Sequence, residues 1–177
     1  SEKYSTIQTD LNLDTNYNLP LTLLKIRPWH QKIVLEYGID HKGEMERHLS
    51  LVKPSIVVVT GINPTHSEPE LLGSLEGIIK EKSKLPQALD KNGLVILNWE
   101  DKFVRQMALG IKAKVLFYGL DKKHCDFWAE KIKVNFKGNS FVMGCKEGKI
   151  FLTTGLIGSH FVQACLAAAA VGLNQGL

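Results

Sequence analysis

At 177 residues with 44% hydrophobic content, the chain is long enough to bury one sizeable core. Its net charge of +4 comes from scattered lysines such as Lys42, Lys53, Lys80 and Lys131 rather than from a basic run, which argues against a nucleic-acid partner. Three widely spaced cysteines, Cys125, Cys145 and Cys165, lack metal-like pairing and point to a reducing compartment, and the apolar stretch 161–173 is too short to insert across a bilayer.

The chain opens at Ser1 without a methionine, as a processed chain or an excised piece would. Four short apolar runs then follow: Ile33–Leu35, Ile56–Val59, Leu94–Leu97 and Val115–Tyr118. Each is too short for a helix and most are β-branched, as in strands buried on both faces. Between them lie helical patterns at 43–51, 73–89 and 101–109. The alternation predicts an α/β fold: a mostly parallel sheet with helices on both faces, its strands near 32–37, 55–60, 94–98 and 114–118. Segments 131–136, 140–145 and 149–153, separated by Gly138 and Gly148, predict a small antiparallel meander. An alanine-rich helix near 159–171 closes the chain.

In open parallel sheets, ligands bind beyond the carboxyl ends of the strands. Glu36 directly follows Ile33-Val34-Leu35 and is placed at such an end, either as a ligand or as a carboxylate that accepts backbone N–H bonds from its loop. His66, in the loop after Thr60, is either an ordinary exposed histidine or a group leading to the next helix. On that helix Leu75, Ile78, Ile79, Leu85 and Leu89 form an apolar stripe, with Lys82 near its middle and Lys80 and Lys84 pointing off it as solvated charges. A buried ammonium is costly unless it is paired or chemically altered, and the ordinary alternative is a lysine that snorkels its head to the edge. Convergence of Glu36, His66 and Lys82 would make a divalent-metal site if Lys82 took up CO₂ as a carbamate, an oxygen donor of the kind that suits Mg²⁺.

Several blocks together resemble the central, ATP-binding domain of the Mur ligase family: LPLTLLKIRP, VLEYGIDHKGEM, KPSIVVVTGINPTHSE, GSLEGIIKEKSKL and NGLVILNWED, with a weaker match at GLIGSHFVQACLAAAAVG. Their order is most similar to the branch that joins D-alanyl-D-alanine to a UDP-muramyl tripeptide in peptidoglycan synthesis. The resemblance implies a P-loop-NTPase-like fold and a cytoplasmic, ATP- and Mg²⁺-dependent amide ligase working through an acyl phosphate. Its substrates would be a UDP-muramyl peptide and D-alanyl-D-alanine.

Carried onto this chain, the resemblance makes Glu36 and His66 magnesium ligands and Lys82 the carbamylated lysine. Asn98 and Asp101 fall near the nucleotide, while Asn12, Asp14 and Thr15 fall in a loop near the muramyl peptide. His160 is kept in the closing helix, but Phe161 and Ala164 stand where the family has two asparagines expected to recognise adenine. The family's phosphate loop would precede Ser1 and its closing domain would follow Leu177. The whole chain, 1–177, therefore reads as a central domain lacking both. In isolation it is expected to be inactive and to self-associate through an unpaired sheet edge. A degenerate, non-catalytic binding module is the alternative.

Overall fold

The structure, a computed structural model, describes residues 3–9, 15–65 and 67–177. Asn12, Asp14 and His66 lie outside the described residues, and of Thr15 only the backbone position is given. The chain divides into two compact units, Ser1–Lys53 with Asn63–Ala88, and Pro54–Ile62 with Leu89–Leu177.

In the first unit, strand β1 (Thr6–Gln8) pairs in parallel with β2 (Lys32–Val34), with Ile7 opposite Ile33. Helix α1 (Thr15–Leu24) separates them, α2 (Glu44–Leu51) follows, and α3 (Leu75–Gln87) completes the unit. Two expectations change here. The run at 33–35 does not join the main sheet: β2 belongs to a separate two-stranded sheet, and Ile33 and Val34 are exposed rather than covered on both faces. Thr15, read from the sequence as loop, opens α1, and the next residue, Asn16, accepts a hydrogen bond from Arg47 of α2 at 2.8 Å.

The second unit holds a six-stranded sheet in the order β3 (Ile56–Val59), β4 (Leu94–Asn98), β5 (Lys114–Gly119), β6 (Phe127–Asn135), β7 (Gly138–Cys145) and β8 (Gly148–Thr154). The first three strands are parallel, as expected from their β-branched runs. The meander is not a separate appendage. β6 begins at Phe127 and pairs in parallel with the end of β5 through Tyr118–Phe127 and Gly119–Trp128, then runs antiparallel to β7. One strand thus converts a parallel sheet into an antiparallel one, with a bulge between Glu130 and Lys133.

Helix α5 (His160–Asn174) supplies the other layer of this core. Val162, Leu166 and Ala170 recur every fourth residue and, with Ala167, pack in one cluster with Ile96, Leu116, Tyr118, Phe141 and Met143. Burying each of the larger side chains contributes about 1.5–3 kcal/mol. The short helix α4 (Lys102–Gln106) lies between β4 and β5 in the chain. Glycine is required at Gly144, where the Trp128 indole occupies the space that a Cβ would need.

Candidate functional site

In the first unit the site begins at the exit of β2. The Val34 carbonyl accepts from the Thr9 amide at 2.9 Å, and the Glu36 amide donates to Thr9 Oγ1 at 3.0 Å. The Glu36 side chain is exposed, and among the described residues no hydrogen bond or ion pair reaches its carboxylate. Two other carboxylates hold the backbone that follows it. Glu44, buried at the start of α2, accepts from the amides of Asp40 (2.6 Å) and His41 (2.9 Å). Glu81, buried on α3, accepts from the amides of Gly43 (2.9 Å) and Met45 (3.1 Å). The loop-holding role considered for Glu36 is therefore filled by Glu44 and Glu81, and Glu36 is left open to a ligand.

Burial pushes the Glu44 carboxyl up, but the amides of Asp40 and His41 together with nearby His41 and His48 outweigh it and hold the group below its ordinary range. His48 is fully buried, with Nε2 3.0 Å from the Gly38 carbonyl and its ring edge-on to Tyr37. His41 is half exposed, its Nδ1 3.7 Å from Glu44 Oε1.

Helix α3 starts at an ordinary cap, with Ser74 Oγ accepting from the Gly77 amide. Its buried residues are Ile78, Glu81 and Pro86; Lys82, the next residue after Glu81, is half-buried, and Lys80 is exposed. Lys84 differs from the expectation of a solvated charge. Its ammonium lies 2.7 Å from Glu81 and 3.2 Å from Glu46, and the hydrogen bond to Glu81 holds it above its ordinary range. The apolar-stripe reading singled out Lys82 and passed over Glu81, whose burial is satisfied by backbone amides that side-chain periodicity does not show. Two signals were present in the sequence: the Glu81–Lys84 spacing of three residues, and an α2 that starts at Gly43 with no side chain to cap it.

Among the described residues no three His, Cys, Asp or Glu side chains cluster as a metal would require, and His66 lies outside them.

In the second unit, Asn98 and Asp101 sit at the carboxyl end of β4, where the sequence placed them. Asn98 is buried; its Nδ2 donates to the Thr60 carbonyl (2.7 Å) and to Gln163 Oε1 (2.9 Å), and its Oδ1 accepts from the Glu100 amide (3.0 Å). Asp101 caps α4 by accepting from the amides of Phe103 and Val104, and its second oxygen accepts from the Ile62 amide at 2.7 Å. Both side chains brace the segment that follows β3, and with both Nδ2 hydrogens used Asn98 has no donor to spare. Next to Asn98, Trp99 stacks on His124 (4.7 Å between rings, 5° between planes) and takes the Arg105 guanidinium at 5.0 Å.

His160 and Phe161 open α5 with their rings 4.2 Å apart, and Ala164 is exposed one turn later. The one side-chain amide in that first stretch, Gln163, is the Asn98 partner.

The model of the Mur ligase middle domain family matches residues 1–172. The UDP-N-acetylmuramoyl-tripeptide–D-alanyl-D-alanine ligase of Haemophilus influenzae is 31% identical over 168 residues, which is 95% of this chain and 36% of that protein. Among solved structures, MurF from Acinetobacter baumannii superposes with a TM-score of 0.88 at 26% identity, over 99% of this chain and 38% of that one. The MurF ligase of Thermotoga maritima, solved in complex with ADP, superposes at 0.84 with 19% identity over 99% of this chain and 40% of that one, a likeness of fold alone. The chain thus spans little more than a third of the proteins it resembles, and over nearly its whole length it belongs to the Mur ligase family as a middle domain.

Proposed function

We propose that the full-length protein carrying this chain is an ATP-dependent amide ligase that adds D-alanyl-D-alanine to a UDP-muramyl tripeptide. The observation that carries this reading is the similarity along 95% of the chain to a relative bearing that name. The ADP held by the Thermotoga maritima neighbour supports a nucleotide substrate. UDP-linked and ATP substrates suit a cytoplasmic setting, and the three cysteines are unpaired; among the described residues no helix is long and apolar enough to cross a membrane.

In the proposed reaction an oxygen of the peptide's terminal carboxylate bonds to the γ-phosphorus of ATP as the bond to the bridging oxygen breaks, releasing ADP. The D-alanyl-D-alanine amine then attacks the acyl carbon, phosphate leaves with the C–O electron pair, and the surplus amine proton passes to solvent. No nucleophilic side chain is required, so the protein's share is positioning and charge stabilisation.

The first unit fits a magnesium ion in its chemistry: Glu36 offers an exposed carboxylate with no protein partner among the described residues, and Lys82, once carbamylated, offers a second oxygen anion. His66 completes the proposed set. Magnesium, when bound, would neutralise phosphate charge. Asn98 and Asp101, which brace the segment after β3, would serve the nucleotide by positioning that segment. His160 and Phe161 would offer ring faces to the base. Thr15, with Asn12 and Asp14, would lie on the side of the muramyl peptide.

A second reading, a non-catalytic Mur-ligase-like binding module, is favoured by Phe161 and the exposed Ala164, which supply no amide for a base edge. One assay separates the two. The full-length protein is expected to release ADP and phosphate only when the UDP-muramyl tripeptide and D-alanyl-D-alanine are both present. Retained sugar-peptide binding with no turnover would overturn the ligase and leave the module.

Self-association of the isolated 177-residue chain is a further expectation. β3 and β8 terminate the six-stranded order, and on β8 Ile150 and Phe151 are exposed. Light scattering is expected to show mass rising with concentration; a constant monomer mass at high concentration would remove the expectation.

A further inference from the structure

We propose that Glu81 is a positioning residue that fixes the loop after Glu36 to the helix carrying Lys82, through the amides of Gly43 and Met45. The inference rests on the ligase reading for its kinetic consequence, but the contacts stand without it.

Helix α2 begins in an unusual way. Gly43, at its cap position, has φ of 88° and no side chain to receive the first free amides. The missing acceptor is imported from α3, 38 and 36 residues away in sequence: Glu81 Oε1 receives the Gly43 amide at 2.9 Å and the Met45 amide at 3.1 Å. The other oxygen of Glu81 receives Lys84 Nζ at 2.7 Å, and the same ammonium reaches Glu46 at 3.2 Å. The first turn of α2 is thus fixed to α3 by two backbone bonds and by an ion pair relayed through Lys84.

The loop on the Glu36 side is fixed in turn to α2. Glu44 receives the amides of Asp40 and His41, and His48 contacts the Gly38 carbonyl. From α3 the chain of contacts therefore runs through Glu81 to residues 43–45, and through Glu44 and His48 to residues 38–41. A local cap would stabilise α2 equally well. A cap borrowed from the residue before Lys82 does more, because the start of α2 and the loop beyond it can hold their place only when α3 holds its own. A buried carboxylate retained at 4% exposure is a costly way to cap a helix, and a geometric requirement accounts for it.

The test uses the full-length protein and compares Glu81→Ala, Glu81→Gln and Ile78→Val. The last is a buried change on the same helix that touches none of these bonds and lowers stability. In Glu81→Ala, amide exchange is expected to accelerate across residues 38–45, not at 43 and 45 alone, and kcat to fall about tenfold to a hundredfold with KM for the tripeptide substrate little changed. Glu81→Gln, which keeps an oxygen for the two amides, is expected to restore protection at 43 and 45 and to recover most of the rate. Ile78→Val is expected to lose stability while keeping kcat.

Exchange that speeds up only at 43 and 45, or an equal loss of kcat in Ile78→Val, would reduce Glu81 to an ordinary cap. If Glu81→Ala does not fold, Glu81→Gln decides: wild-type rate with protection retained across 38–45 supports the proposal, and a lost rate with that protection intact overturns it. If the wild-type protein shows no ligase turnover, the ligase reading fails by itself, and the spread of exchange across 38–45 still decides the clamp.

Discussion

Lys82→Ala in the full-length protein is expected to lower ligase turnover by about a hundredfold or more, the scale on which one oriented charge stabiliser acts. Lys82 is half-buried on α3, directly after a residue whose carboxylate is committed to the start of α2. A carbamate forms on a lysine only in its neutral amine form. The neutral amine can attack CO₂, forming an N–C bond and releasing one proton, and the product is an anion able to face a metal or a phosphate. Bicarbonate should therefore sustain the wild type, and short carboxylic acids should partly restore the alanine variant by standing in for the lost carbamate.

The neighbouring lysines sharpen this test because their surroundings differ. Lys80 is exposed, and Lys80→Ala is expected to leave both rate and stability unchanged. Lys84 links Glu81 to Glu46, so Lys84→Ala is expected to lower stability without any response to bicarbonate. Full activity of Lys82→Ala at low bicarbonate would return Lys82 to a snorkelling structural lysine. Rescue of Lys84→Ala by carboxylic acids would move the carbamate to the wrong residue.

Much of the fold could be read from the sequence where burial and composition coincide. The runs at 56–59, 94–97 and 115–118 are β-branched or apolar throughout, and they became three adjacent parallel strands. The same kind of run at 33–35 misled: an apolar triplet states that a strand will form but not what will cover it, and Ile33 and Val34 are exposed. The start of β6 was missed for a related reason. Phe127-Trp128-Ala129-Glu130 does not alternate cleanly between apolar and polar, because Trp128 packs over Gly144 on the face opposite the α5 core. Among the candidate site residues, Glu36 and Lys82 stood out by their place in the pattern. Glu81 did not, since its partners are backbone amides more than thirty residues away, and no local periodicity encodes a backbone acceptor.

Asp101→Ala is expected to cost about 2–4 kcal/mol of folding stability, the sum of a lost helix cap and a buried amide left without an acceptor. The two oxygens of this carboxylate work in different places. Oδ1 receives the amides of Phe103 and Val104 at the start of α4, while Oδ2 receives the Ile62 amide at 2.7 Å, three residues beyond the end of β3. Ile62 is 7% exposed, so water cannot readily replace the lost acceptor. Asp101→Asn separates the two contributions. Its single carbonyl oxygen can keep the cap, but its NH₂ group then faces the Ile62 amide donor to donor, and an intermediate loss of stability is expected. Denaturant unfolding followed by the fluorescence of Trp99, two residues away, reports the change directly. The same pair of variants decides how the residue serves the nucleotide. A brace lowers stability first and weakens ATP binding only as the segment after β3 loosens, so the two losses should rise together from Asn to Ala. A direct ligand would lose ATP binding in both variants with the unfolding midpoint unmoved, and that result would overturn the brace.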